Sequence, residues 1–67
     1  DAMALARDVM ELDPLDEGAY ELMIRGLTES GDIDAARRTY ARYAAALQDE
    51  LSAEPSKQLA DLVRRIR

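Results

Sequence analysis

Apolar residues along this chain return at intervals of three and four, the spacing of one helical face, and nowhere alternate at intervals of two over a useful length. Ala2, Leu5, Val9 and Leu12 make the first stripe, with Met3, Ala6 and Met10 widening it. Pro14 ends that segment, because proline biases the preceding Asp13 away from helical angles. In the second segment Asp16 is placed to cap the free amides of the first turn, with Leu15 and Tyr20 as a hydrophobic staple across it. Tyr20, Met23, Ile24 and Leu27 then occupy one face. Gly31 suits the left-handed conformation that closes a helix without a Cβ penalty, and Asp32 suits the cap of the next. From there Ile33, Ala36, Tyr40, Tyr43, Leu47 and Leu51 keep helical spacing for about five turns, until "SAEPS" breaks it. Ser56 caps a last stripe of Leu59, Leu62, Val63 and Ile66, whose basic end at Arg64, Arg65 and Arg67 complements the helix dipole. The pattern predicts an all-α chain of antiparallel helical hairpins, with helices over about 2–12, 17–30, 33–52 and 57–66.

Two details sharpen the packing. Glycine inside a helix costs about 1 kcal/mol relative to alanine, so Gly26 implies the close approach of a neighbouring helix backbone. Glu21 with Arg25, Asp34 with Arg38, and Asp61 with Arg65 are acid-first pairs four residues apart, each contributing a few tenths of a kcal/mol on solvated faces.

The residues that fill these positions also carry a resemblance. The segment "AYELMIRGLTESGDIDAARRTYARY" resembles a tetratricopeptide repeat: aromatic Tyr20, apolar Met23 and Leu27, the Gly31-Asp32 turn, small Ala36 and aromatic Tyr40. Ala36 follows Ala2 by one repeat period of roughly 34 residues, so "MALARDVMELDP" resembles the second helix of a preceding repeat. Ile24 and Tyr43 depart from the generic repeat, which prefers small residues there, and no proline closes the long helix near Leu47. Those departures are similar to a narrower family, the bacterial transcriptional activator domain, found in bacterial regulators of the antibiotic-regulatory type. The similarity is carried by "DPLDEGAY", "GDIDAARRTY", "LQDEL" and above all the order Leu47, Glu50, Leu51, Glu54, Pro55, Ser56, with acidic Asp49 beside it. The resemblance implies a tetratricopeptide-like interaction module of a transcription regulator, lying beside or behind a winged-helix DNA reader. It implies that this chain is the C-terminal part of that domain, beginning inside it at Asp1.

Length agrees with a piece of a larger helical-repeat domain: at 67 residues, folding buries only roughly 60% of the unfolded chain's surface, which leaves an isolated core marginal. Fourteen acidic side chains against nine basic give a net charge of −5, which disfavours this segment as a phosphate-binding surface. Direct nucleic-acid contact is therefore expected from another part of the parent. No apolar run approaches the ~20 residues of a membrane span. Without cysteine there is no disulfide framework, and a reducing, cytoplasmic setting is the default.

Catalysis finds little material. Histidine and cysteine are absent, and Ser30 and Ser56 have no base in view. Asp32 and Asp34 form a D-x-D pair, but Ala36 follows and Tyr43 stands where a calcium loop needs its last acid, so capping and solvation account for them, as for Asp13, Asp16 and Glu17. The chain is read as no enzyme, with no metal and no cofactor. What remains is partner surface. The repeat resemblance places the concave face on the helix holding Glu21, Leu22, Arg25, Thr28 and Glu29, with Leu22 as the apolar anchor off the core stripe. Arg37, Arg38 and Arg42 make a basic strip on the long helix that suits a partner domain or nucleic acid, beside the bland reading of a solvated face. Tyr43 and Met10 are assigned to the core. The expected partner is protein: the parent's own DNA-binding domain, a second protomer making a homo-oligomer, or the transcription machinery. A scaffold that captures a peptide from an unrelated protein is the competing reading. A further expectation is that apolar residues of the first helix are left partly uncovered, which promotes association.

Overall fold

The computed structural model describes residues 2–65 and holds four helices, α1 (Ala2–Leu12), α2 (Glu17–Glu29), α3 (Ile33–Leu51) and α4 (Lys57–Arg64). Ile66 and Arg67, expected in the last helix, lie outside the described residues.

Each junction is built as the local chemistry dictates. Asp13 Oδ1 accepts from Leu15 N–H at 3.1 Å in the turn around Pro14, and Asp16 Oδ1 accepts from Ala19 N–H at 3.2 Å to cap α2. At the far end of α2, Gly31 takes φ +86. Asp32 N–H then reaches Leu27 O at 2.9 Å and Gly31 N–H reaches Thr28 O at 3.0 Å, the paired bonds of a Schellman closure. Asp32 at once caps α3 by accepting from Ala35 N–H at 3.1 Å. One glycine and one aspartate thus reverse the chain.

α2 packs against α1 on one side and α3 on the other. Its α3-facing edge carries the large side chains: Tyr20, Ile24, Ala36, Tyr43, Leu47 and Leu59 form one buried cluster, with the Tyr20 and Tyr43 rings 4.5 Å apart. Ile24 and Leu59 are completely covered, each stabilising the fold by roughly 1.5–3 kcal/mol. Ile24 and Tyr43, the two departures from the generic repeat, are thereby explained: they fill the space between α2, α3 and α4. The α1-facing edge is built from smaller contacts, Ala6, Ala19 and Met23, with Met3, Val9 and Met10 beside them.

Four expectations need correction. The α1 face that docks on α2 is Met3, Ala6, Val9 and Met10, because small Ala19 and Gly26 on α2 admit those side chains; of the expected stripe Val9 packs, whereas Leu5 and Leu12 turn away, 61% and 88% exposed, which leaves the first helix partly uncovered as expected. The neighbour that needs Gly26 is a side chain, not a backbone: a Cβ there would stand 2.5 Å from Met3 Cγ. Leu51 is 61% exposed, since the chain reverses at left-handed Ser52 and the last turn of α3 projects beyond the cluster around Leu47. Of the charge pairs, Glu21 and Arg25 meet at 3.5 Å, Asp61 pairs with Arg64 rather than Arg65, and Asp34 and Arg38 make no ion pair among the described residues.

Candidate interaction surface

Among the described residues, one polar side chain that the sequence pattern assigned to capping and solvation gathers several partners. Glu17, the first residue of α2, sits against the segment linking α3 to α4. Its Oε1 accepts from Ser56 N–H at 3.0 Å and from the Tyr43 hydroxyl at 3.3 Å, while Oε2 accepts from the Ser56 hydroxyl. Ser56 Oγ in turn accepts from Leu59 N–H at 3.2 Å and so caps α4. One carboxylate thereby fixes the start of α4 across 39 residues of sequence. Burial pushes the Glu17 carboxyl up, but the hydrogen bonds from Ser56 and Tyr43 outweigh it and hold it below its ordinary value. Burial, then the Glu17 charge, pushes the Tyr43 hydroxyl up to about 12. An acidic residue at a helix start reads as a dipole contact, so only the spatial partner reveals this role.

The eight surface candidates fall into separate places. On α2, Leu22 is 43% exposed and Arg25 and Glu29 are exposed, whereas Glu21 and Thr28 are half-buried. Thr28 donates its hydroxyl proton back to Ile24 O at 2.7 Å, which leaves its methyl and an acceptor oxygen for a partner. Glu21 and Arg25 share a hollow of about 370 Å³ with Gln58, Asp61, Leu62 and Arg65 of the α4 region. Arg37, Arg38 and Arg42 are exposed on α3, but Arg42 lines a different cleft, together with Arg7 of α1. The α2 group and the α3 arginines therefore do not converge on one pocket.

A third apolar feature joins the candidates. Arg7, Met10 and Glu11 mark the edge of α1 turned toward α3, so Leu5 and Leu12 lie on the edge turned away. On α2 the α3-facing edge is Tyr20 and Ile24, and Leu22, three residues after Ala19 and four before Gly26, lies on the opposite edge. Leu5, Leu12 and Leu22 thus line one open side of the α1–α2 pair.

The model of the bacterial transcriptional activator domain matches residues 1–67, the whole chain. The chain belongs to that family. Neither the curated proteins nor the solved structures provide a match. Membership makes this a domain of transcription regulation with an all-helical fold. It also gives the Glu-Pro-Ser signature of the activator domain a physical reading here: Ser56 is the residue that Glu17 grips, and Leu47 and Leu59 to either side are core. Among the described residues no group of three or more acidic side chains is gathered closely enough to hold a metal ion, and no helix is long and apolar enough to cross a membrane.

Proposed function

We propose that this activator domain works as a protein–protein interaction module of a bacterial transcription regulator in the cytoplasm. In this reading the chain is the C-terminal part of the domain and packs against the regulator's DNA-binding domain, a second protomer or the transcription machinery. The observation that carries the proposal is the open side of Leu5, Leu12 and Leu22, 61%, 88% and 43% exposed. Three leucines left in water on one side of a helical pair favour cover by another protein surface, since each buried methylene contributes about 0.8 kcal/mol. Arg25, Arg37, Arg38 and Arg42 add polar contacts that orient a partner more than they bind it. A net charge of −5 leaves base reading to another domain.

The test replaces Leu12 and Leu22 by Asp and Arg25 by Ala in the full-length regulator. All three residues are exposed, so thermal unfolding is expected to stay within a few degrees of the parent. Self-association, read by light scattering, or promoter binding, read by gel shift, should fall by tenfold or more, about 1.4 kcal/mol. Retention of both at parental strength would mean that the assigned surface is wrong.

A further inference from the structure

Between α1 and α3, over the back of α2, lies a cleft of about 390 Å³ lined by Arg7, Met10, Glu11, Pro14, Tyr20, Met23, Thr39 and Arg42. Its floor is apolar and soft. Tyr20 and Met23 are almost fully buried, Met10 is half-buried, and methionine adapts its shape to what it packs against. Its rim is charged in a particular way. Arg7 stands on the α1 wall and Arg42 on the α3 wall, both exposed, and among the described residues neither pairs with a carboxylate. Glu11 is the one acidic group lining the cleft; although four residues from Arg7, it forms no ion pair with it. The Thr39 hydroxyl is occupied by Ala35 O at 2.8 Å and does not compete for a ligand. The lining therefore carries a net positive charge in a chain whose total is −5, a local reversal of sign.

We propose that this cleft docks a short acidic peptide segment that presents one aliphatic side chain between carboxylates. The aliphatic group enters the floor of Met10, Tyr20 and Met23, and the flanking carboxylates meet Arg7 on one wall and Arg42 on the other. Guanidinium groups favour planar carboxylate partners, and two of them on opposite walls fix the direction of the bound segment. The volume falls within the range of about 300–1,000 Å³ typical of pockets that enclose small groups. A nucleic acid fits less well: two arginines over an apolar floor make no track for successive phosphates. This docking site is distinct from the open side of Leu5, Leu12 and Leu22.

The chain supplies its own reporters, because Met10 and Met23 line the cleft while Met3 sits by Gly26, outside it. Methyl-labelled methionine spectra of the chain would be recorded while titrating a blocked pentapeptide, Asp-Asp-Leu-Asp-Asp. The expected result is movement of the Met10 and Met23 methyls with Met3 unmoved. Binding should weaken about tenfold in the Arg7→Gln/Arg42→Gln variant and weaken further as salt rises toward 0.5 M, where a Debye length of a few ångströms screens the pairing. It should persist in Leu22→Asp, which separates this site from the interaction surface proposed above. Equal binding by the lysine analogue or by Asp-Asp-Ala-Asp-Asp, equal movement of Met3, or undiminished binding by the arginine variant would overturn the proposal. So would stronger movement of the same methyls by a single-stranded oligonucleotide.

Discussion

The two tight reversals that flank α3 are closed by different physics. At its start, Gly31 and Asp32 use only their own neighbours: a positive φ, two backbone bonds into the last turn of α2, and a cap on Ala35. At its end, non-glycine Ser52 is held at φ 50 with backbone bonds from Ser52 N–H to Gln48 O and from Ala53 N–H to Leu47 O, but the link onward to α4 is secured by Glu17, a residue from another helix. The first reversal is complete within nine residues of sequence; the second begins locally, but its junction with α4 exists only once the hairpin has formed. A local reversal survives loosening of the rest, whereas the start of α4 depends on tertiary structure.

The sharpest way to break the second reversal is Leu59→Ala. It empties a completely buried site where α4 joins the core and should destabilise the fold by about 2–5 kcal/mol, seen as a lower urea midpoint. Amide exchange in α4 should quicken more than in the Gly31 turn. Uniform quickening would show that the two reversals unfold as one unit.

Glu17→Ala is the subtler cut. It strands the Ser56 N–H at a partly buried site and leaves the Tyr43 hydroxyl only its 3.5 Å bond to Leu15 O, with an expected loss of about 1–3 kcal/mol. The node also sets the pH limbs of stability. The Glu17 carboxyl is held below its ordinary value in the fold, so its contribution is present above the unfolded pKa and disappears as pH falls through the folded one. The Tyr43 hydroxyl, pushed up to about 12, contributes in the opposite sense: the stability is complete below its unfolded value of 10.0 and is lost as pH rises toward 12. In Glu17→Ala the acid limb should flatten, and the alkaline limb only in part, because burial, the first cause of the raised tyrosine, remains when the carboxylate is gone. Unchanged limbs in a pH series of melts would assign the titration to other groups.

The smallest effect belongs to the first reversal. Gly31→Ala forces a Cβ into φ +86, at roughly 1–2 kcal/mol, with open space around it and no clash to add. Its loss should appear in urea titration without selective loosening of α4.

What the pattern could and could not reveal follows the same division. Caps at Asp16, Asp32 and Ser56, the glycine turn and the spacing around Tyr20 to Leu27 depend on neighbours within four residues, and all were legible. The rotation of α1 was not, because Leu5 and Met3 are equally apolar and only the small surface of Ala19 and Gly26 opposite selects between them. Glu17 was misread for the same reason: its partners lie 26 and 39 residues away. Of the surface, the exposure of Leu22 was legible as an apolar residue off stripe, but the meeting of Arg7 with Arg42 across a cleft needed the third dimension.

The Glu17–Tyr43 pair has one more consequence. The Glu17 carboxyl is held below its ordinary value and the Tyr43 hydroxyl is pushed up to about 12, and the chain holds neither histidine nor cysteine. Between those two limits neither member of the pair changes state, and there is no thiol to follow the redox poise. In a regulator that includes this domain, the clasp at the start of α4 therefore keeps its charge and its hydrogen bonds across that interval.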